Sequence, residues 1–126
     1  MNKINSFKDL LVWQKGMEIV KLVYAISSNF PKEEMFGLTS QIRRAATSIP
    51  LNIAEGYGRS SRLSYRSFIR IARSSNQELD TALEIALMLE FVAEKDVLEL
   101  KRNIEEESRM LNSLIQKLSD EQKDNK

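Results

Sequence analysis

The sequence predicts an all-α protein, folded as an antiparallel up-down-up-down four-helix bundle. Apolar residues recur at intervals of three and four positions in four long segments, which is the pattern of amphipathic helices. No segment shows the alternation of apolar and polar residues that marks a strand. Short connectors join the segments, and short connections place consecutive helices side by side in opposite directions. The length of 126 residues suits one domain, spanning residues 1–126.

The first helix is predicted at about residues 10–29, after an irregular lead that ends at Asp9, a candidate N-cap. Its core face is predicted from an apolar stripe with spacings of four and three, formed by Trp13, Met17, Val20 and Tyr24. Four further apolar residues widen this stripe to a broad face: Val12, Ile19, Val23 and Ile26. Glycine lowers helix propensity by about 1 kcal/mol, so Gly16 inside this helix predicts the close approach of a neighbouring helix. Pro31 ends the segment, because proline disfavours helical geometry in the residue before it.

The second helix is predicted at about residues 38–56, directly after Gly37. A narrow apolar stripe forms its predicted core face: Leu38, Ile42, Ala45, Ile49 and Ile53. Pro50 lies inside this segment and predicts a kink, because it lacks an amide hydrogen and its ring crowds the preceding turn. Gly56 or Gly58 is predicted to end the helix in a left-handed conformation.

The third helix is predicted at about residues 61–90, with Ser60 or Ser61 as its N-cap. Its core face is predicted from a heptad seam with steps of four and three, formed by Phe68, Ala72, Ser75, Leu79, Ala82, Ala86 and Leu89. The fourth helix is predicted at about residues 94–118. The polar tail at residues 119–126 is predicted to be disordered.

The composition excludes several kinds of site. The chain has no cysteine and no histidine, which excludes disulfides, thiolate chemistry, and catalysis or metal binding by histidine. No pair of nucleophile and base is visible, so we expect no enzyme activity, no metal and no cofactor. No apolar run approaches the roughly 20 residues of a membrane span, and the first residues lack a signal peptide. A cytoplasmic protein without a membrane contact is therefore expected.

Charge is distributed unevenly along the chain. Residues 37–75 carry seven of the nine arginines and a single acid, Glu55, whereas residues 76–126 carry seven basic and thirteen acidic residues. Five arginines step by three and four along the third helix, on the face opposite its seam: Arg59, Arg62, Arg66, Arg70 and Arg73. Arg43 and Arg44 lie on the second helix. The pattern favours a surface that binds anions, but the oppositely charged halves can also attract each other within the bundle or between subunits.

Residues 36–59, FGLTSQIRRAATSIPLNIAEGYGR, resemble the four-helix-bundle family of the 23S ribosomal RNA intervening-sequence protein. The segments FKDLLVWQKG and FIRIA fit the same family, so the resemblance covers roughly residues 7–118. It implies an antiparallel bundle that assembles into a homopentameric ring, and Arg43, Arg44 and Arg59 match the family's basic positions. A related family, the accessory proteins of diversity-generating retroelements, implies nucleic acid and a reverse transcriptase as partners.

Two interpretations of the arginines remain open, and an enzyme ranks below both. In the first, a homo-oligomer binds RNA or single-stranded DNA, with guanidinium groups on phosphates and Tyr57 and Tyr65 stacking on unpaired bases. In the second, the protein is a scaffold whose arginines pair with acids of a neighbouring subunit, among them Glu78, Asp80, Glu84, Glu105, Glu106 and Glu107. The candidate nucleic-acid-binding residues are Arg43, Arg44, Arg59, Arg62, Arg66, Arg70 and Arg73.

Overall fold

The computed structural model describes the backbone of residues 3–124 and the side chains of residues 3–120. Within this range the chain forms four α-helices, α1 (Leu11–Ser27), α2 (Leu38–Tyr57), α3 (Arg62–Met88) and α4 (Leu98–Asp124). Short 3-10 helices precede α1, α2 and α4, and no strand occurs in the described range. The predicted all-α class with four helices is therefore confirmed.

The four helices enclose one apolar core. α2 packs against both α1 and α3, and α4 packs against α3 and α1. Large side chains that are fully withdrawn from solvent come from all four helices, among them Ile19, Ile42, Ile49, Ile53, Ile69, Leu79, Leu83 and Leu111. Burying each of these contributes about 1.5–3 kcal/mol to folding. The predicted core stripe of α2 supplies half of the buried residues of that helix, and the predicted seam of α3 supplies four of seven. Leu89 at the end of the predicted seam is 49% exposed.

The predicted core face of α1 is confirmed in part: Val12, Ile19 and Val23, which widen the predicted stripe, are buried, whereas the central stripe is not. The buried residues of this helix are Val12, Gly16, Ile19, Val23 and Ser27. Met17 and Tyr24 of the predicted stripe are 44% and 43% exposed, and Trp13 and Val20 are only partly buried. Two adjacent apolar stripes occupy α1, and periodicity alone does not determine which of them meets the other helices.

Gly16 lies where α1 approaches α2 and α4, as its place in the helix predicted. A Cβ atom at this position would lie 3.3 Å from Glu107 Oε2 and 3.3 Å from Ile49 Cγ2. It would also lie 3.4 Å from Cδ of Pro50, which is buried inside a continuous α2. The glycine of one helix and the proline ring of the next therefore form a close packing contact.

The caps differ in part from the prediction. Asp9 does not cap α1; it belongs to the 3-10 helix at Phe7–Asp9, where its carboxylate accepts the Asn5 amide at 2.8 Å. The first amide of α2 donates to Glu34 Oε1 at 3.0 Å. Ser61 caps α3 as predicted, because its hydroxyl accepts the Ser64 amide at 3.1 Å.

The two glycines at the end of α2 do not have the predicted left-handed conformation. No glycine has a positive φ, and Gly58 has a φ of −78°. A Cβ atom at Gly56 would lie 2.7 Å from Phe68 Cβ, so this glycine is required by the close approach of α3. The positive φ among the non-glycine residues of the described range belongs to Glu90, at 62°, just after α3.

The last helix is longer at its end and shorter at its start than predicted. α4 begins at Leu98, because residues 94–96 form a separate 3-10 helix. It continues to Asp124, so most of the tail predicted to be disordered is helical. The tail contains neither glycine nor proline, and Leu118 at its start is buried and anchors the last turns. Residues 125–126 of the predicted tail lie outside the described residues.

Candidate nucleic-acid interface

The seven candidate arginines do not lie on a single surface. Arg43 and Arg44 belong to α2, where they lie beside α1 and the connector that precedes α2. Arg59 follows α2 at the corner that leads into α3. The remaining four form one row along α3, named here the arginine flank: Arg62, Arg66, Arg70 and Arg73. The row from residue 66 to residue 73 spans about 10 Å, because an α-helix rises 1.5 Å per residue.

The arginine flank borders α4, which corrects its predicted position opposite the core face. Arg66 Nη1 donates to Ser119 Oγ at 3.1 Å, and Arg73 Nη1 donates to Asn112 Oδ1 at 3.0 Å. Both acceptors belong to α4. The arginine side chain has a long apolar stem, so it lies along the edge of the core while its guanidinium group reaches the surface.

Three of the four arginines of this flank have no ion pair among the described residues. Among the described residues, Arg66, Arg70 and Arg73 form no ion pair, and the acceptors of Arg66 and Arg73 are neutral. Arg70 is exposed and makes no hydrogen bond in the same part of the chain. The Nε atom of Arg66 is buried and has no hydrogen-bond partner there. Three guanidinium charges therefore lie side by side and are available to an anion.

Arg59 has a different environment from the flank. It pairs with Glu55 at 2.7 Å, and its guanidinium carbon lies 4.7 Å from the centroid of the Phe68 ring. Both charged side chains are largely exposed, so the ion pair contributes about 0.2–1 kcal/mol. Arg59 thus fastens the end of α2 to α3, and Glu55, the single acid of residues 37–75, is its ion-pair partner.

The two tyrosines near the arginines pack against each other. The rings of Tyr57 and Tyr65 meet edge to face with centroids 6.1 Å apart, and both side chains are partly buried. Burial raises the pKa of the Tyr65 hydroxyl, and the neighbouring Tyr57 raises it further. This geometry uses both rings in the contact between α2 and α3, which favours a packing role over stacking on bases.

The α2 arginines also differ from each other. Arg43 Nε donates to the buried hydroxyl of Ser27 at 2.8 Å, and its guanidinium carbon lies 4.5 Å from the centroid of the Tyr24 ring. This side chain therefore joins α2 to α1. Arg44 is exposed and makes no hydrogen bond or ion pair with the described residues. Of the two, Arg44 is the one whose charge is open to a partner.

Glu107 is a buried acid that the sequence did not identify. Its side chain is 0% exposed, and neither carboxylate oxygen has a hydrogen-bond partner in the described part of the chain. Burial raises the pKa of the Glu107 carboxyl to about 8, and the charge of Lys15 opposes this rise. The sequence did indicate this burial, because residue 107 lies three positions after Ile104 and four before Leu111, on the same buried face of α4.

Other acids proposed as partners for arginines have partners within the subunit. Glu105 pairs with Arg109 at 3.0 Å, and Glu106 pairs with Lys15, which lowers the pKa of Glu106. Glu84 lies 3.6 Å from Lys101. Glu78 and Asp80 are exposed and form no ion pair in the described region. Of the six predicted acids, these two are therefore available to a neighbouring subunit.

The described residues contain neither a cluster of metal ligands nor a helix that could span a membrane. No group of three or more acidic residues there is arranged to hold a metal ion. None of the helices in this range combines the length and the apolar character that crossing a membrane requires. The fold and the arginine flank thus define a class, the four-helix all-α proteins with a row of arginines along one helix.

The chain belongs to the 23S rRNA-intervening sequence protein family, whose sequence model matches residues 8–113. Its fold is similar to that of a protein with unknown function from the S23 ribosomal protein family of Bacteroides thetaiotaomicron VPI-5482. The two share 24% sequence identity with a TM-score of 0.77, over 83% of this chain and 98% of the other. This likeness supports a common fold. No protein with a curated description matches the sequence.

Proposed function

We propose that the chain is a non-enzymatic, homo-oligomeric protein of the cytoplasm that binds nucleic acid, RNA or single-stranded DNA, through the arginine flank of α3. The observation that carries the proposal is the row formed by Arg66, Arg70 and Arg73, which have no carboxylate partner among the described residues. A guanidinium group presents a planar fork of donors that matches the oxygens of a phosphate.

The proposed assembly is a homopentameric ring of antiparallel bundles, as the family resemblance implies. A ring would repeat the arginine flank five times, so that weak single contacts add up when one nucleic acid meets several subunits. The family takes its name from the intervening sequences of 23S rRNA, which makes RNA the first ligand to test. Arg62 extends the same row toward the start of α3.

The experiment compares the wild-type protein with two charge reversals, Arg70→Glu and Arg102→Glu, in a binding assay with single-stranded and structured RNA. Both arginines are exposed, and Arg102 lies on α4, outside the flank. A charge-assisted hydrogen bond contributes about 1.5–3 kcal/mol, so Arg70→Glu is expected to weaken binding by about tenfold or more. Arg102→Glu has the same charge change and is expected to bind nearly as the wild type does.

The salt dependence of the wild-type affinity completes this test. Binding through phosphates releases counterions, so log K falls linearly with log salt, by about 0.7 for each phosphate contact with a single strand. Arg70→Glu is expected to reduce this slope. Absence of binding at about 50 mM salt, or an affinity that does not change with salt concentration, contradicts the proposal. An equal loss of RNA affinity for Arg70→Glu and Arg102→Glu also contradicts it.

A second candidate function is that of a structural scaffold whose arginines pair with acids of a neighbouring subunit. Glu78 and Asp80 favour it, because both carboxylates are exposed and unpaired within the described residues. An accessory role beside a reverse transcriptase, implied by the related retroelement family, is a variant of the first proposal with an added protein partner. A gene for such an enzyme next to this one would favour that variant.

A further inference from the structure

A continuous groove runs along the outer surface between α1 and α2. Its central part has a volume of about 400 Å³ and is apolar, with side chains from both helices: Phe7, Trp13, Met17, Val20, Thr47, Pro50, Leu51 and Ala54. At Thr47 it joins a second depression that contains Tyr24, Phe36, Arg43 and Arg44. The groove therefore has an apolar centre and a basic end.

The rim of this groove carries unusually exposed apolar side chains. Phe36 is 97% exposed and Leu51 is 67% exposed, while Met17 on the opposite wall is 44% exposed. Single exposed apolar residues are ordinary, but a contiguous row beside a groove is typical of an interaction surface. Arg44 lies between Leu51 and Phe36 along this rim, so the order along α2 and its preceding connector is apolar, positive, apolar.

A second unpartnered surface lies on α3. Residues at steps of three and four form a row that faces solvent along its whole length, named here the outer stripe of α3: Ile71, Ser74, Glu78, Thr81, Ile85 and Met88. Ile71 is 46% exposed, Ile85 is 37% exposed and Met88 is 72% exposed. Three of the six side chains are apolar, and residues at steps of three and four share the face by which one helix packs against another. The core of the subunit is built from a different set of α3 residues, so the outer stripe has no partner inside the subunit.

The two surfaces match in charge and in spacing. In α2, Leu51 follows Arg44 by seven residues, and in α3 Ile71 and Ile85 each lie seven residues from Glu78. Seven residues of helix span about 10.5 Å. Placing Glu78 against Arg44 therefore puts one isoleucine against Leu51 and leaves the other near Phe36. Arg44 and Glu78 are both exposed and unpaired within the described residues.

We propose that the groove between α1 and α2 receives the outer stripe of α3 from a second copy of this chain, with Arg44 opposite Glu78. The inference rests on the homo-oligomer of the proposed function and names its contact surface. One chain supplies both halves, and the halves lie on different helices, so the contact is head to tail. Repetition of a head-to-tail contact closes into a ring when the rotation between subunits permits.

The test is a charge exchange, read out as molar mass by light scattering. The wild type is expected to have a multiple of the 14.5 kDa subunit mass. Arg44→Glu alone and Glu78→Arg alone each place like charges opposite one another, and both are expected to shift the mass toward one subunit. The double variant restores the pair in reverse, so it is expected to regain at least half of the wild-type oligomer fraction.

Two control variants show whether a change in mass comes from the proposed contact or from the change of charge alone. Arg102→Glu and Glu99→Arg produce the same charge changes at exposed positions of α4 and are expected to keep the wild-type mass. Single variants with unchanged mass, or a double variant that stays dissociated, overturn the Arg44–Glu78 contact. A wild type with the mass of one subunit overturns both this contact and the proposed oligomer. RNA binding that persists in that case leaves the role of the arginine flank standing.

The apolar part of the contact is tested separately by Leu51→Asp. Leu51 is 67% exposed, so this change is expected to preserve the helical circular dichroism and the unfolding midpoint of the subunit. The proposal predicts that Leu51→Asp lowers the oligomer mass, because a carboxylate would be buried against an isoleucine. Lys95→Asp is the control, since Lys95 is exposed in the connector before α4. Equal masses for the wild type and Leu51→Asp contradict the proposed position of the stripe in the groove.

Discussion

At the scale of single residues, Glu107 is the least expected feature of the chain. A carboxyl group without a hydrogen-bond partner is costly to bury, and more costly when ionised. The raised pKa of about 8 means that folded Glu107 carries a proton at neutral pH. Lys15, the nearest cation acting on it, pairs with Glu106 and Asn103 instead. The core therefore accommodates Glu107 as a neutral side chain.

This leads to a prediction for pH. The pKa of Glu107 is raised from 4.5 in the unfolded chain to about 8 in the folded one, so the folded state binds the extra proton between these values. Stability from this group is complete below pH 4.5 and declines as the pH rises, by about 1.4 kcal/mol per pH unit up to pH 8. Glu107→Gln removes this titration, so the stability of the variant relative to wild type should increase steadily from pH 5 to pH 8. Urea unfolding at several pH values measures it.

Glu106→Gln is the matched control for this experiment. The pKa of Glu106 is lowered by its hydrogen bond and ion pair with Lys15, so its contribution is lost only as the pH falls below the ordinary range of a glutamate. Between pH 5 and pH 8 the difference between Glu106→Gln and wild type should stay constant. Parallel pH profiles for Glu107→Gln and wild type would contradict the buried, protonated state of Glu107.

At the same scale, one added methyl group is expected to change stability in opposite directions at the two glycines at the end of α2. A Cβ atom on Gly56 would lie 2.7 Å from Phe68 Cβ, and overpacking of this kind costs about 1–3 kcal/mol. The gain in helix propensity, about 1 kcal/mol, offsets only part of this cost. Gly56→Ala is therefore expected to lower the free energy of unfolding, measured from the urea midpoint.

Gly58→Ala is the corresponding control. Gly58 has a φ of −78°, and the nearest atom to an added Cβ would lie 3.7 Å away. Alanine at such a position is expected to stabilise the protein by about 0.4–1 kcal/mol, because it restricts the unfolded chain. If both substitutions shift the midpoint in the same direction, the close contact between Gly56 and α3 is not the reason for the glycine.

At the scale of elements, α1 and α2 show why a pattern does not always assign a face. α1 has two apolar stripes, one buried and one along the outer groove, and both have helical spacing. In α2, an interior proline costs about 3 kcal/mol in an isolated helix. Pro50 is nevertheless tolerated, since its ring is buried against α1 at Gly16. Gly16 predicted the close approach of a helix, but the sequence of α1 does not identify Pro50 as the residue that it contacts.

α3 is the element that separates the two proposed surfaces. Its arginine flank borders α4, while its outer stripe faces away from the core. One face of α3 therefore packs in the core, and two separate faces, the arginine flank and the outer stripe, are open to external contacts. No residue of the outer stripe belongs to the arginine flank, so the two proposals can be tested independently.

At the scale of the whole molecule, this separation predicts opposite behaviour for two arginines. Arg70→Glu is expected to lose RNA affinity while keeping the wild-type oligomer mass, because Arg70 lies outside the groove and the outer stripe. The scaffold interpretation predicts instead that Arg70→Glu lowers the mass. One light-scattering series with and without RNA distinguishes the two, and a lower mass for Arg70→Glu would favour the scaffold.

The uneven distribution of charge along the chain is also seen in how acids and arginines pair in the folded molecule. Among the described residues, the acidic half of the chain does not neutralise Arg66, Arg70 and Arg73. Glu106 and Glu105 of α4 pair with Lys15 and Arg109, and Glu94 pairs with Lys101. Part of the acid set thus fastens α4 to its neighbours, and part of it, including Glu78, stays exposed. The positive surface is therefore available to a partner outside the subunit.

The sequence by itself determined the class, the four helices and much of the detail of α2 and α3. It predicted the start of α2 near Leu38, and it offered Ser60 or Ser61 as the cap of α3, of which Ser61 is the cap. Such signals depend only on neighbours in the chain. The family was also recognisable, since residues 36–59 combine small residues, arginines and glycines in a specific order.

Tertiary structure decided the rest. Which stripe of α1 is buried, the direction of Arg66 and Arg73 toward α4, and the burial of Glu107 all depend on the rotation of each helix about its axis. That rotation is set by packing between helices, which maximises the apolar area removed from water and the fit of small residues such as Gly16. A pattern within one helix fixes which residues share a face. Only the neighbouring helices determine what that face meets.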